Sequence, residues 1–107
     1  MGTHHRTQVI ELLAHLAADF FARETNHQSL ITITRADLSP DFKQATIYFS
    51  IFPQTHEETA LHFAKRQRSE FRNFVKKNAN MKTIPFFEFV IDDGEKNRQA
   101  LEDLSHD

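Results

Sequence analysis

The chain has 107 residues, of which 39% are hydrophobic and 26% charged, and its formal net charge at pH 7 is −2. This length predicts one domain that buries roughly two-thirds of the surface its unfolded chain exposes. The absence of cysteine excludes disulfides and thiolate chemistry, and no apolar run reaches the ~20 residues that a membrane span needs. We therefore expect a cytoplasmic globular protein that does not associate with membranes.

Residues 6 to 24 carry hydrophobic side chains at three- and four-residue spacing, as in Leu13, Leu16 and Phe20, and this period predicts an amphipathic α-helix. The preceding MGTHH is expected to be a disordered N-terminus or a remnant of cloning, so the domain is predicted to span residues 6 to 94. Residues 95 to 107 are expected to form a short terminal helix or to fray.

The hydrophobic pattern changes to a period of two after residue 30, where Ile31 and Ile33 alternate with threonines. This alternation predicts a strand up to about residue 38 and a second strand from about residue 43 to residue 52. The S-P-D sequence between them is a turn signal. Two strands joined by so short a turn predict an antiparallel hairpin.

Pro53 ends the second strand, and Thr55 and Glu58 have the spacing of a capping box at the start of a helix. The hydrophobic period is then interrupted between Ala64 and Phe71. We expect a bend, a short 3₁₀ turn or a junction of two helices around residues 67 to 69.

A third strand is predicted at residues 86 to 91, where it is opened by Pro85 and closed by an Asp-Asp-Gly turn. The predicted elements thus follow one another as α-β-β-α-(kink)-α-β. We predict a single α+β domain in which a three-stranded sheet packs its helices on one face.

Cations are concentrated between residues 65 and 82, where seven Lys and Arg side chains accompany a single acidic residue, Glu70. The segment has a local charge of +6, which leaves −8 for the rest of the chain. On a helix, Lys65, Arg68, Arg72 and Lys76 fall in one stripe, roughly 120° from the apolar stripe. Both a solvated helix face and a binding surface for an anionic partner, RNA above all, fit this pattern.

No enzyme motif is present, because the chain lacks a glycine-rich phosphate loop, an H-E-x-x-H helix and a nucleophile elbow. Asp92, Asp93 and Glu95 have the chemistry of a Mg²⁺ site, but an acidic turn after a strand is more often a solvated loop. His56 and His62 lie six residues apart and do not share a helix face. We therefore predict a protein that is not an enzyme and that holds no metal and no cofactor, with a hydrolase dependent on Asp92 as a minor alternative.

Three segments resemble the ribosome-binding factor A family. The hairpin reads ITIT at residues 31–34, SPDF at 39–42 and ATIYFS at 45–50, similar to the family's V-T-V-T strand, S-x-D-L turn and A-x-V-Y-V-S strand. PFFEFVID at residues 85–92 is similar to its P-x-L-x-F-x-x-D strand, and SEFR at 69–72 to the G-x-I-R after its interhelical kink. The resemblance implies a type II KH-like fold, whose element order is the one predicted above.

The resemblance also implies a function: a non-catalytic ribosome assembly factor that binds the small ribosomal subunit and its rRNA during late maturation, often with a role in cold adaptation. Ribosomal proteins are further expected partners, and we expect a monomer. The candidate RNA-binding residues are Lys65, Arg66, Arg68, Ser69, Arg72, Lys76, Lys77 and Lys82.

This chain departs from the family at its Ala-x-Gly kink, where it has Gln67 and Ser69. Without that glycine, we expect cations rather than bare backbone to hold the RNA. The alternative function is a protein-interaction module whose basic helix docks an acidic protein partner.

Overall fold

A computed structural model of the chain describes residues 2–24 and 30–92. Its elements are α1 (Gly2–Glu24), β1 (Leu30–Leu38), β2 (Gln44–Phe52), a 3₁₀ turn (Gln54–His56), α2 (Glu57–Arg66), α3 (Arg68–Asn78) and β3 (Phe86–Ile91). The predicted α+β fold and its element order are confirmed. The helix or frayed tail expected at residues 95 to 107 lies outside the described residues. Within those that are described, no helix combines the length and the apolarity needed to cross a membrane.

Helix α1 begins at Gly2, earlier than the predicted start near residue 6. The first turns have partners in the hairpin that a hydrophobic period does not reveal. The ring of His5 stacks on Phe42 with 5.8 Å between centroids, and Arg6 Nη1 donates a hydrogen bond to the Ser39 carbonyl at 3.0 Å. These contacts extend the helix beyond its apolar residues.

The sheet has the strand order β1-β2-β3, with β1 antiparallel and β3 parallel to β2. The predicted antiparallel hairpin is therefore confirmed, and α2 and α3 form the crossover that a parallel third strand requires. The pairing of β1 with β2 shifts between Ile33 and Arg35, where Thr34 forms a β-bulge. The bulge moves the inward-facing set of β1 from odd positions such as Ile33 to even positions such as Ala36 and Leu38.

The core lies between the helices and one face of the sheet, as predicted. Its centre is Phe71 of α3, which is fully buried. The rings of Phe20, Phe87 and Phe89 lie 5.4, 4.7 and 5.7 Å from it, so α3 contacts both α1 and β3 through one side chain. No described element covers the opposite face of the sheet, and Phe86 on it is 53% exposed.

The capping box predicted at Thr55 and Glu58 does not form. Thr55 is the middle residue of the 3₁₀ turn Gln54–His56, and α2 begins only at Glu57, with His56 as its N-cap and no side-chain cap bond. The chain turns tightly after Pro53, so the threonine hydroxyl comes too early for the α-helical amides. Glu57 and Glu58 instead place negative charge in the first turn of α2, which the helix dipole favours.

Candidate nucleic-acid interface

The basic segment folds into two helices that meet at Gln67, which confirms the junction that the interrupted hydrophobic period predicts. Gln67 has φ −87° and ψ 5°. Its N–H donates to the carbonyls of Phe63 and Ala64, both at 3.1 Å, and its own carbonyl accepts the N–H of Phe71 at 2.8 Å. Because φ is negative, an ordinary side chain fits at this position. The junction therefore needs no glycine.

Ser69, which stands where the family has glycine, lies inside α3 and is exposed. Its backbone is helical, and α3 starts one residue before it, at Arg68. The departure from the Ala-x-Gly pattern thus leaves the path of the backbone undistorted here. The serine side chain is therefore accessible to a polar partner.

Five of the candidate cations project from the outer sides of α2 and α3. They are Lys65, Arg66, Arg72, Lys76 and Lys77, all of them exposed. None of the five forms an ion pair with any residue in the described ranges. The buried residues of the two helices, Ala60 and Ala64 in α2 and Phe71 and Val75 in α3, hold them on the core. We call these five residues the cation row. The helices that carry them are fixed on the core, and their charges are not paired with any described carboxylate.

Arg68 does not belong to the cation row. Its Nη2 lies 3.5 Å from Oε1 of Glu88 on β3, and its Cζ lies 5.0 Å from the centre of the Phe86 ring. Its side chain is 32% exposed, and its Nε is buried without a hydrogen-bond partner among the described residues. Arg68 precedes Phe71 by three residues and Val75 by seven, so the helical period itself places it beside the buried stripe.

Lys82 is also separate from the cation row, because it lies in the connection between α3 and β3. It lines a groove of about 640 Å³ together with Leu12 of α1, Phe42 and Lys43 of the hairpin turn, and Met81. The groove thus combines apolar side chains with two lysines and one carboxylate, that of Asp41. The sequence does not indicate this groove, because its walls come from three segments that are far apart in the chain.

The hairpin turn beside this groove is held by one carboxylate. Asp41 Oδ1 accepts hydrogen bonds from the Ser39 hydroxyl at 2.7 Å and from the Lys43 amide at 3.1 Å. These two bonds, the Ser39 bond above all, lower the pKa of Asp41 below its ordinary value of 3.8. Phe42 next to it has φ 63°, the left-handed conformation that a tight turn imposes.

Asp92, directly after β3, is held by β1, whereas Asp93 and Glu95 of the magnesium site considered above lie outside the described residues. Thr34 Oγ1 donates to Asp92 Oδ2 at 2.6 Å, and Arg35 Nε lies 3.8 Å from the same oxygen. Arg35 also stacks on Tyr48, with its Cζ 3.8 Å from the ring centre. Asp92 therefore ties the bulge of β1 to the end of β3. Within residues 2–24 and 30–92, no three His, Asp or Glu side chains converge as metal ligands would.

Comparisons with known proteins agree on one family. The sequence matches the family model of ribosome-binding factor A over residues 5–105. It is 31% identical over 109 residues to ribosome-binding factor A of Anaeromyxobacter sp. (strain Fw109-5), covering 97% of this chain and 89% of the relative. It is 26% identical to the protein of the same description from Bradyrhizobium sp. (strain ORS 278), covering 96% of this chain and 78% of that one.

The fold is similar to the crystal structure of ribosome-binding factor A from Thermus thermophilus. The TM-score is 0.72 and the sequence identity 21%, over 80% of this chain and 94% of that one. A solution structure of a Thermotoga maritima protein described as a putative ribosome binding factor A has a TM-score of 0.66 and is 23% identical, over 80% of this chain and 85% of that one. At these identities the likeness concerns the fold alone.

Proposed function

This chain belongs to the ribosome-binding factor A family, and from that membership we propose that it is a ribosome assembly factor that binds the small ribosomal subunit and its rRNA during late maturation. The proposed role is non-catalytic, cytoplasmic and that of a monomer, with importance for growth in the cold. The observation that carries the proposal is the cation row, five exposed positive charges without an ion pair to a described residue, on two helices anchored in the core.

Phosphate oxygens are the chemical match for such a row, since Lys and Arg bind them largely without regard to base sequence. The two helices are fixed by buried residues on their inner sides, so their charges keep a constant arrangement. Recognition would then depend on the shape of the rRNA surface. The hydroxyl of the exposed Ser69 adds one polar group for a sugar or phosphate.

The salt dependence of binding tests this role. If all five cations neutralise phosphates, log K falls against log[salt] with a slope of roughly −3.5 to −4.5. Co-sedimentation with immature small ribosomal subunits at several salt concentrations gives that slope. Stronger binding to immature than to mature subunits is expected for a factor that acts during maturation.

Two double charge reversals provide a matched pair. Arg72→Glu with Lys76→Glu changes the cation row, whereas Lys43→Glu with Lys82→Glu makes the same change of net charge at the groove. We expect the first variant to lose subunit binding and the second to keep most of it. Retention of binding by the first variant would contradict the proposal.

The second candidate function is a protein-interaction module for an acidic partner. The groove favours it, because its apolar side chains and its excess of positive charge, Lys43 and Lys82 against Asp41, match an acidic segment with apolar side chains. RNase treatment separates the two functions. A partner that remains bound after digestion, and is lost on reversal of the groove lysines, supports the protein-interaction module.

A further inference from the structure

We propose that Arg68 is a positioning residue, which joins the α2–α3 junction to strand β3 and thereby fixes the direction in which α3 presents the cation row. It does not itself contact phosphate. This inference deepens the RNA-binding role proposed above and rests on it.

The position of Arg68 at the junction is the first argument. It is the first residue of α3, directly after Gln67, the one residue between the two helices. A junction of one residue changes its angle through a single pair of backbone dihedrals. A contact made by the next side chain therefore restrains the direction of the whole of α3.

The contact also reaches around the edge of the sheet. Phe87 and Phe89 of β3 are buried in the core, so Phe86 and Glu88 on the alternate positions face the open side. Strand β3 is at the edge of the sheet. The side chain of Arg68 therefore extends from a helix on the core side, past this edge, and contacts Phe86 and Glu88 on the other face of the sheet.

The two contacts use the shape of arginine. Its planar guanidinium lies over the Phe86 ring while one of its nitrogens pairs with Glu88. A lysine ammonium, being a point charge on a flexible stem, does not combine stacking and pairing in this way. The side chains of Arg68 and Glu88 are 32% and 34% exposed, so the pair is partly removed from water. Both contacts favour one position of the side chain.

The charge of Arg68 is compensated by this arrangement. A phosphate approaching it would have to displace the Glu88 carboxylate or bind beside it against repulsion. A cation already balanced by the protein also contributes little to counterion release on binding. Arg72, one turn further along α3, is exposed and forms no ion pair with a described residue. It is therefore the matched control.

The experiment uses the full chain with Arg68→Gln and Arg72→Gln, which remove the same charge from the same helix. Binding to immature small ribosomal subunits is measured by co-sedimentation over a salt series, at a temperature where circular dichroism shows each variant folded. Arg72→Gln is expected to make the salt slope shallower by about 0.7 to 0.9. Arg68→Gln is expected to weaken binding about fivefold and to leave the salt slope unchanged. This factor is the ratio of binding constants that corresponds to the loss of one cation–π contact.

A charge exchange completes the test. Arg68→Glu should weaken binding more than Arg68→Gln, because it places two carboxylates together at Glu88. Adding Glu88→Arg to it restores an attractive pair and should recover most of the loss.

Two results would overturn the inference. A slope made shallower by Arg68→Gln, as by Arg72→Gln, means that Arg68 contacts phosphate directly. A lower melting temperature with unchanged affinity means that its contacts only stabilise the fold. Failure of the proposed function is distinguishable from both, because the wild-type chain would then not bind subunits at any salt concentration, which would remove the role given to Arg68 as well.

Discussion

Replacing Phe71 with alanine tests whether this side chain is the centre of the core on which α3 packs. Phe71 is the fully buried side chain of α3 that contacts both α1 and β3, and three other phenylalanine rings lie within 5.7 Å of its ring. Removing the Phe71 ring leaves a cavity where α1, α3 and β3 meet. We expect α3 to lose its main attachment and the whole domain to lose stability.

The expected loss follows from the burial. Phe→Ala in a core costs about 3–5 kcal/mol through lost transfer energy and the cavity left behind. Each aromatic pair contributes roughly 0.5–1.5 kcal/mol beyond its buried area. Since Phe71 has four such pairs and no exposure, we place Phe71→Ala in the upper part of the range, at about 4 kcal/mol. For a domain of this size that corresponds to a melting temperature lower by roughly 15 °C.

Urea unfolding at 25 °C, followed by circular dichroism because the chain has no tryptophan, measures the free energy of unfolding. Phe52→Ala is the control. Phe52 is 74% exposed, so its removal should change the free energy of unfolding by no more than about 0.5 kcal/mol. A loss below about 1.5 kcal/mol for Phe71→Ala, or equal losses for both variants, would refute the assignment of Phe71 as the centre of the core.

Three further predictions concern the hairpin and α3. Arg6→Gln should lower the free energy of unfolding by about 1–2 kcal/mol, because Arg6 donates hydrogen bonds to the carbonyls of Leu38 and Ser39; an unchanged urea midpoint would contradict this. Ser39→Ala should raise the pKa of Asp41 in an NMR titration. The lowered pKa of Asp41 stabilises the fold above about pH 4, and this stabilisation is lost as the pH falls through that pKa, so the variant should lose less stability on acidification. Ser69→Gly should destabilise the domain by about 0.5 kcal/mol because Ser69 is inside α3, and a gain in stability would argue that this position favours glycine.

The sequence predicted the fold well because its hydrophobic periods are long and distinct. The alternation in β2 places Ala45, Ile47, Phe49 and Ile51 on one face, and all four are buried. The interruption between Ala64 and Phe71 marked the junction at Gln67. These signals are local, and tertiary packing agrees with them.

The errors in the predicted fold have a common physical origin in structure that the local pattern does not encode. The early start of α1 depends on His5 and Arg6 meeting the hairpin turn more than thirty residues later. The bulge at Thr34 is the exception, because the apolar positions of the sequence themselves shift from Ile31 and Ile33 to Ala36 and Leu38 across it. The capping box at Thr55 failed because a 3₁₀ turn precedes α2, and the local S/T-x-x-E pattern carries no information about it.

Two of the predicted RNA-binding residues, Lys82 and Arg68, lie apart from the cation row. Lys82 is close to the helical cations in the sequence, but it lies after α3 and lines the groove. Arg68 shares a helical face with the buried Phe71 and Val75, and this spacing indicates a position beside the core that the count of charges does not reveal. A cation at a position of the buried stripe is better placed to contact its own domain than a ligand.

The pairing of charges explains how a chain of net charge −2 can present a cationic surface. Carboxylates around the sheet are occupied by the protein's own groups: Asp37 pairs with Arg6, Asp92 with Arg35, and Glu88 with Arg68. The five charges of the cation row have no such partner within the described residues. Affinity for an anion at salt concentrations near 0.15 M depends on charges within about 8 Å, so the local excess outweighs the overall balance. Net charge alone would therefore give the wrong sign for the cation row, the surface that we propose binds RNA.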